Sequence, residues 1–216
     1  MRLLNSLGPN PRMVRMFMHE KGIEVPNVDV DMLGGENRQP AFTAKNPAGQ
    51  VPALELDDGS IIGETVAICE YLEEQRPEPA LIGKTPEERA GTRMWTRRVE
   101  MNITEHMYNG FRYAEGLDLF RDRVVCVPEG ADGLKKKGQA GLAWLDGLLG
   151  DNDYICGNRL TMADIVLYCC MDFCGSVGQP RDPALKNLEN WFARMNARPS
   201  ADATIAPNWE ELGMRV

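Results

Sequence analysis

The sequence predicts an α+β domain built on a mixed four-stranded sheet, followed by an all-α helical domain. Three observations carry this reading. Strand and helix signals alternate as β-α-β-α-β-β-α through the first third of the chain. A polar, proline-rich stretch, Gln75-Arg76-Pro77-Glu78-Pro79, then interrupts the pattern, and only helical periodicity follows. The length of 216 residues suits one large domain or two small ones. The expected division is residues 1–76, a linker at 77–84, and a helical domain at 85–216.

Taken in order, Arg2 to Leu7 reads as a short buried strand, broken by Gly8-Pro9-Asn10-Pro11. Asn10 suits an N-cap and Pro11 the first helical position, where a missing N–H costs nothing. That helix runs to Lys21 and stops at Gly22, with Met13, Val14, Phe17 and Met18 on one side and Arg12, Arg15 and His19 on the other. Val25 to Val30 is the second strand. Gly34-Gly35-Glu36-Asn37 opens a loop to a short helix at Pro40 to Ala44. After the turn Asn46-Pro47-Ala48-Gly49-Gln50, Val51 to Leu56 is a strand whose Pro52 must lie at a start or an edge. Asp58-Gly59 turns a hairpin into Ser60 to Ile62, and Gly63-Glu64-Thr65 opens a helix to Glu74. Two strands joined by a helix pair in parallel, and the late hairpin adds antiparallel strands. Beyond the linker, Thr85-Pro86-Glu87-Glu88 starts a long helix. Further helices cover Leu117 to Val125, Gly130 to Leu149, Thr161 to Cys174 and Ala184 to Arg198.

Composition narrows the function. Hydrophobic residues at 43% and charged residues at 26% exclude a disordered chain, a collagen-like repeat and a coiled coil. The net charge of −8 argues against nucleic-acid or anionic-membrane binding. No apolar run reaches bilayer length and the start lacks a signal-peptide core, so a cytoplasmic protein is expected. The six cysteines form no C-x-x-C pair, and with two histidines they offer no metal-site spacing. They read as buried or half-buried thiols, and no metal is expected.

Four segments, in order, resemble the cytosolic glutathione transferases. They are Ser6-Leu7-Gly8-Pro9-Asn10-Pro11-Arg12, Asn46-Pro47-Ala48-Gly49-Gln50-Val51-Pro52-Ala53-Leu54, Gly63-Glu64-Thr65-Val66-Ala67-Ile68 and Leu160-Thr161-Met162-Ala163-Asp164-Ile165. The resemblance spans essentially the whole chain. It implies a thioredoxin-like first domain, a cis bond before Pro52, a homodimer, and glutathione as co-substrate with no permanently bound cofactor. It further implies that Val51 pairs through its backbone with the cysteinyl part of glutathione, as an added strand would. Thr65 then holds the γ-glutamyl carboxylate at a helix start and Glu64 pairs with the amino group. Gln50 and Asn37 reach the glycine carboxylate. Thr65 alone also suits plain capping, and Gln50 and Asn37 also suit a solvated loop. The fourth segment is a capping box with a hydrophobic staple, Leu160 against Ile165. Folding explains it fully.

The catalytic position departs from the family pattern. Leu4 stands where a tyrosine is usual, and Pro9 or Asn10 where a serine or cysteine is usual. Asn10 and Ser6 are therefore the candidates to stabilise a thiolate, Asn10 in competition with its capping role and Ser6 from within a strand. Met101, Glu105, Tyr108, Phe111 and Arg112 on the long helix are the candidate wall for a second substrate, although most also suit a bundle core. The reading is a glutathione transferase acting on a small hydrophobic electrophile. The alternatives are a glutathione-dependent disulfide oxidoreductase and a non-catalytic glutathione- or ligand-binding protein.

Overall fold

The computed structural model describes all 216 residues. Its sheet has the order β2-β1-β3-β4, from β1 (Arg2–Asn5), β2 (Asn27–Asp29), β3 (Ala53–Glu55) and β4 (Ile61–Ile62). β1 runs parallel to β2, with Leu4 beside Val28, and antiparallel to β3, with Leu3 beside Leu54. β3 and β4 close the hairpin. Side chains alternate across a strand, and here both faces are covered. Leu3 enters the main core, while Leu4 joins Val30, Phe42 and Ala53 in a smaller one. Double coverage is why the adjacent Leu3 and Leu4 of β1 are both buried.

The strands are shorter than expected. β1 ends at Asn5 because the chain turns at Gly8, whose φ of 122° suits glycine, into α1 (Pro9–Lys21). Gly8, not Asn10, is the N-cap, so Asn10 lies inside the first turn. α2 (Pro40–Thr43) follows the loop, and α3 (Thr65–Gln75) follows the hairpin. In the helical half come α4 (Pro86–Val99), a π-helical turn at Glu100–Thr104, α5 (Glu105–Arg112), α6 (Leu117–Phe120), α7 (Ala131–Leu149), α8 (Met162–Ser176), α9 (Lys186–Asn196), α10 (Pro199–Ala203) and α11 (Trp209–Leu212). The helix expected at Leu117 to Val125 is thus only its first turn, and α10 and α11 were too short for a periodic signal. No helix is long and apolar enough to cross a membrane.

α1 corrects the expected one-sided amphipathicity. Its residues Met13, Val14, Met16, Phe17 and Met18 are all buried, and so is Arg12. One face lies on the sheet and α3, the other on α8, where Cys169 Sγ is 3.9 Å from Met16 Sδ. Arg12 is fully buried by this second contact. Its guanidinium donates to Asp172 at 2.6 Å and to the Ala201 carbonyl at 2.9 Å. A single core of 41 residues runs through both halves of the chain.

Candidate functional site

A cavity of about 300 Å³ opens between the two halves. One side is built by the loop into α1, with Leu7, Pro9 and Asn10, and by the Gln50–Val51 corner. The other is built by α5, Phe120, Arg123 and Phe173.

Local structure explains the first side. The Val51–Pro52 bond is cis, and Val51 makes no hydrogen bond through its amide or its carbonyl. Two asparagines brace this corner. Buried Asn46 donates from Nδ2 to the Gln50 carbonyl at 2.9 Å, and buried Asn37 donates to the Gly49 carbonyl at 2.7 Å. Asn46 also lies beside Gly63, at the approach to α3. Asn37 was expected to meet a carboxylate. Its N–H₂ is engaged with the loop, and its free Oδ1 is an acceptor, which repels an anion. The neighbouring Arg38 is the cation at this rim. It extends over Gly49 and donates weakly to the Ala48 carbonyl at 3.4 Å.

Glu64 and Thr65 stand at the α3 terminus, outside the cavity lining itself. Glu64 has φ 63° and ψ 123°, the left-handed side that non-glycine residues avoid. No side chain caps this helix, so the amides of Thr65, Val66 and Ala67 lack acceptors. The plain capping role for Thr65 is absent, and the terminus is open to a carboxylate. Glu100, which sequence reasoning missed, lies in the π-helical turn. Burial and the charges of Glu64 and Glu105 push its carboxyl up, against the opposing pull of Arg97.

At the α1 terminus, Pro9 and Pro11 have no N–H and the Arg12 amide is bonded to Gly8. Asn10 therefore carries the one free amide of this helix end, and its side chain has no partner. Ser6 is placed elsewhere. Its hydroxyl donates to the Val30 carbonyl at 2.7 Å, and it lines a separate cavity with Arg15, Asp29 and Thr204. A hydroxyl tied to a strand carbonyl and turned from the interdomain cavity cannot face a sulfur there.

On the helical side, Glu105, Tyr108, Asn109 and Arg112 line the cavity at the i, i+3, i+4, i+7 spacing of one helix face. Phe111 joins them, edge-on to Phe173 at 4.9 Å between ring centres. Met101 does not. It is 55% exposed, because the π-helical turn inserts a residue and rotates it off this face. Gly141 of α7 makes room for that wider turn, since a Cβ there would collide with the Asn102 carbonyl. Arg123 donates to the carbonyls of Met32 at 2.6 Å and Leu33 at 2.9 Å, and so straps the two halves over the cavity. Phe120, Phe173 and Arg123 lie too far along the chain for a spacing argument to have found them.

No cysteine lines the cavity. Cys69, Cys169, Cys170 and Cys174 are buried, and burial pushes the Cys169 thiol up to about 11. The capping box is present. The Asp164 carboxylate accepts from the Thr161 amide and hydroxyl, the Ile155 amide and Trp191 Nε1, all at 2.9 Å. These residues lie in the core, away from the cavity.

The arrangement offers an unpaired strand-like edge, an open helix terminus, and an aromatic cavity beside a free asparagine amide. Such a site can hold an extended peptide against an apolar partner. Known proteins fit this architecture. Residues 7–75 match the glutathione S-transferase N-terminal domain and residues 128–199 the C-terminal domain. Glutathione S-transferase 2 of Saccharomyces cerevisiae is 34% identical over 198 residues, covering 89% of this chain and 84% of its own. A maleylacetoacetate isomerase of Pseudomonas aeruginosa is 35% identical over 156 residues, 71% of each chain. The crystal structure of a glutathione S-transferase domain-containing protein from Marinobacter aquaeolei superposes with a TM-score of 0.88 at 37% identity, over 93% of this chain and all of that one. The fold, the four-stranded mixed sheet with its helical partner, and these likenesses agree: the chain belongs to the glutathione S-transferase family of enzymes.

Proposed function

We propose that the protein binds glutathione along Val51 and the start of α3, activates it as the thiolate beside Asn10, and conjugates it to a small hydrophobic electrophile in the interdomain cavity. The observation that carries this is the Val51 edge, with amide and carbonyl both unpaired, at the rim of an aromatic cavity. A cysteinyl backbone adds to such an edge as a short strand. The γ-glutamyl carboxylate then meets the open amides of Thr65, Val66 and Ala67. Its ammonium meets Glu64 with Glu100 behind it, and the glycine carboxylate meets Gln50 and Arg38.

A free thiol has a pKa of about 8.5, so only a few per cent is ionised at neutral pH. The Asn10 side-chain N–H₂ and backbone N–H are donors for the thiolate, with the positive end of α1 behind them. Sulfur attacks the electrophilic carbon, the leaving group departs with its bonding pair, and the thiol proton passes to solvent. No protein cysteine takes part in this step. The family likeness supports a homodimer and a cytoplasmic location.

Calorimetry of glutathione binding to wild type and Glu64→Ala, with ultraviolet thiolate absorbance followed against pH, tests the reading. Wild type is expected to bind and to lower the thiol pKa. The variant is expected to lose about 1–3 kcal/mol of binding, as for an unpaired charged hydrogen bond. Binding with an unshifted thiol, and turnover of a small disulfide but not of a chlorodinitrobenzene, would replace transfer with disulfide exchange. No binding at millimolar glutathione would end the reading.

A further inference from the structure

The cavity is charged against the sign of the chain. The protein carries −8 overall, yet Arg38, Arg112 and Arg123 line the cavity and Glu105 is the one acid among its lining residues. None of the three arginines forms an ion pair, and nearby Asp118 and Glu115 are engaged with Arg121 and Lys135. Arg123 is occupied with the Met32 and Leu33 carbonyls, and Arg38 lies at the peptide rim. Arg112 remains.

Its guanidinium carbon sits 6.0 Å from the Tyr108 ring centre and 5.7 Å from that of Phe120. One nitrogen donates to Asn109 Oδ1 at 3.0 Å, and Asn109 Nδ2 donates in turn to Glu105 Oε1 at 2.7 Å. Asn109 thus stands between the carboxylate and the guanidinium. No carboxylate pairs directly with Arg112, and its Nε and second terminal nitrogen have no acceptor. Tyr108 contributes only its ring to this wall, since its hydroxyl is buried beside the Cys170 thiol, outside the cavity lining.

A planar guanidinium flanked by two rings, with donors to spare in an aromatic wall, matches a carboxylate attached to an aromatic ring. We propose that the second substrate is an aromatic electrophile bearing a carboxylate, its ring among Tyr108, Phe111, Phe120 and Phe173 and its carboxylate on Arg112. This rests on the transferase reading and names its substrate class. With a chloronitrobenzoate, the glutathione sulfur bonds to the ring carbon bearing chlorine. The carbon–chlorine bond breaks, chloride leaves with the bonding pair, the thiol proton passes to solvent, and the carboxylate is unchanged.

The test compares a chloronitrobenzoate with its methyl ester, which has nearly the same shape and no charge. Binding is measured by calorimetry in the presence of S-methylglutathione, which cannot react, and turnover with glutathione. Wild type is expected to prefer the acid by about tenfold or more, the scale of a charge-assisted hydrogen bond. Arg112→Gln is expected to abolish that preference, weakening the acid far more than the ester. Arg112→Lys, which keeps the charge but not the fork, is expected to retain part of it. Circular dichroism establishes that both variants fold, and the lysine variant carries the test if the glutamine variant does not. Equal binding of acid and ester by wild type overturns the proposal. Equal weakening of both by Arg112→Gln, with a raised pKa of the bound glutathione thiol, also overturns it and makes Arg112 a thiolate partner. Arg112-dependent preference for the acid without turnover of either compound leaves the anion subsite standing and removes the transferase reading.

Discussion

Glu64 is the one residue other than glycine with a positive φ, at 63°. Such a conformation costs on the order of 1–3 kcal/mol and persists where its surroundings impose it, often at a ligand site. Here it turns the chain from β4 into α3 and leaves the α3 amides open. Glu64 then faces the field of Glu100, whose carboxyl is raised by burial and by the charges of Glu64 and Glu105. A bound ammonium stabilises the ionised form of Glu100. Glutathione affinity is therefore expected to increase as pH rises through the raised Glu100 value, and Glu100→Gln is expected to flatten that rise; calorimetry across the mildly acidic range checks this. At this scale the sequence was partly legible. Val51, Glu64 and Thr65 were singled out through motifs, because short segments specify the backbone geometry at these positions. Arg38, Glu100 and Arg112's isolation from Glu105 were not, because charge on an exposed loop or helix looks alike until its neighbours are known.

Periodicity placed every long helix, but not what each one faces. The stretch from Pro86 to Arg112 reads as one helix, and the π-helical turn at Glu100–Thr104 has no signature in spacing alone. It separates Met101 from the face that Glu105 begins. α3 shows a second limit. Glu73 near its end is buried, accepts from Lys21 Nζ at 2.6 Å and from the amides of Leu81 at 3.2 Å and Ile82 at 2.8 Å, while Lys21 also donates to the Pro79 carbonyl at 2.6 Å. The apparent linker is thereby clamped to the first half of the chain. Removing one partner leaves a buried ammonium and several orphaned amides. Glu73→Ala is expected to destabilise the protein by about 3–5 kcal/mol, read as a drop in urea midpoint, and to raise protease cleavage within residues 77–84.

Across the whole molecule, α1 is the shared wall of the two halves. Arg12 and Arg215 converge on Asp172, Arg12 from inside the interface and Arg215 from the irregular segment after α11 at 3.0 Å. Arg198 pairs with Glu20 through two bonds of 2.7 Å, which fastens the segment before α10 to α1. Burial opposes ionisation of Glu20, but the bonds from Arg198 and Ser200 outweigh it and hold the carboxyl below its ordinary range. Asp172→Ala strands a fully buried guanidinium. It is expected to cost about 3–5 kcal/mol in chemical unfolding, with the loss falling on both halves in one transition because they share a core. The sequence by itself determined the order of the strands and long helices, the mixed-sheet half before the helical half, the capping box and the proline corner at Val51–Pro52. Each of these rests on interactions within a few residues, where propensity, turn chemistry and spacing act directly. Only the tertiary structure decided that Arg12 is interior, that Ser6 and Met101 leave the site, and that Arg112 stands unneutralised in an aromatic cavity. Those outcomes depend on burial and on charges from distant segments, and the free energy of a charge is set by what surrounds it in space.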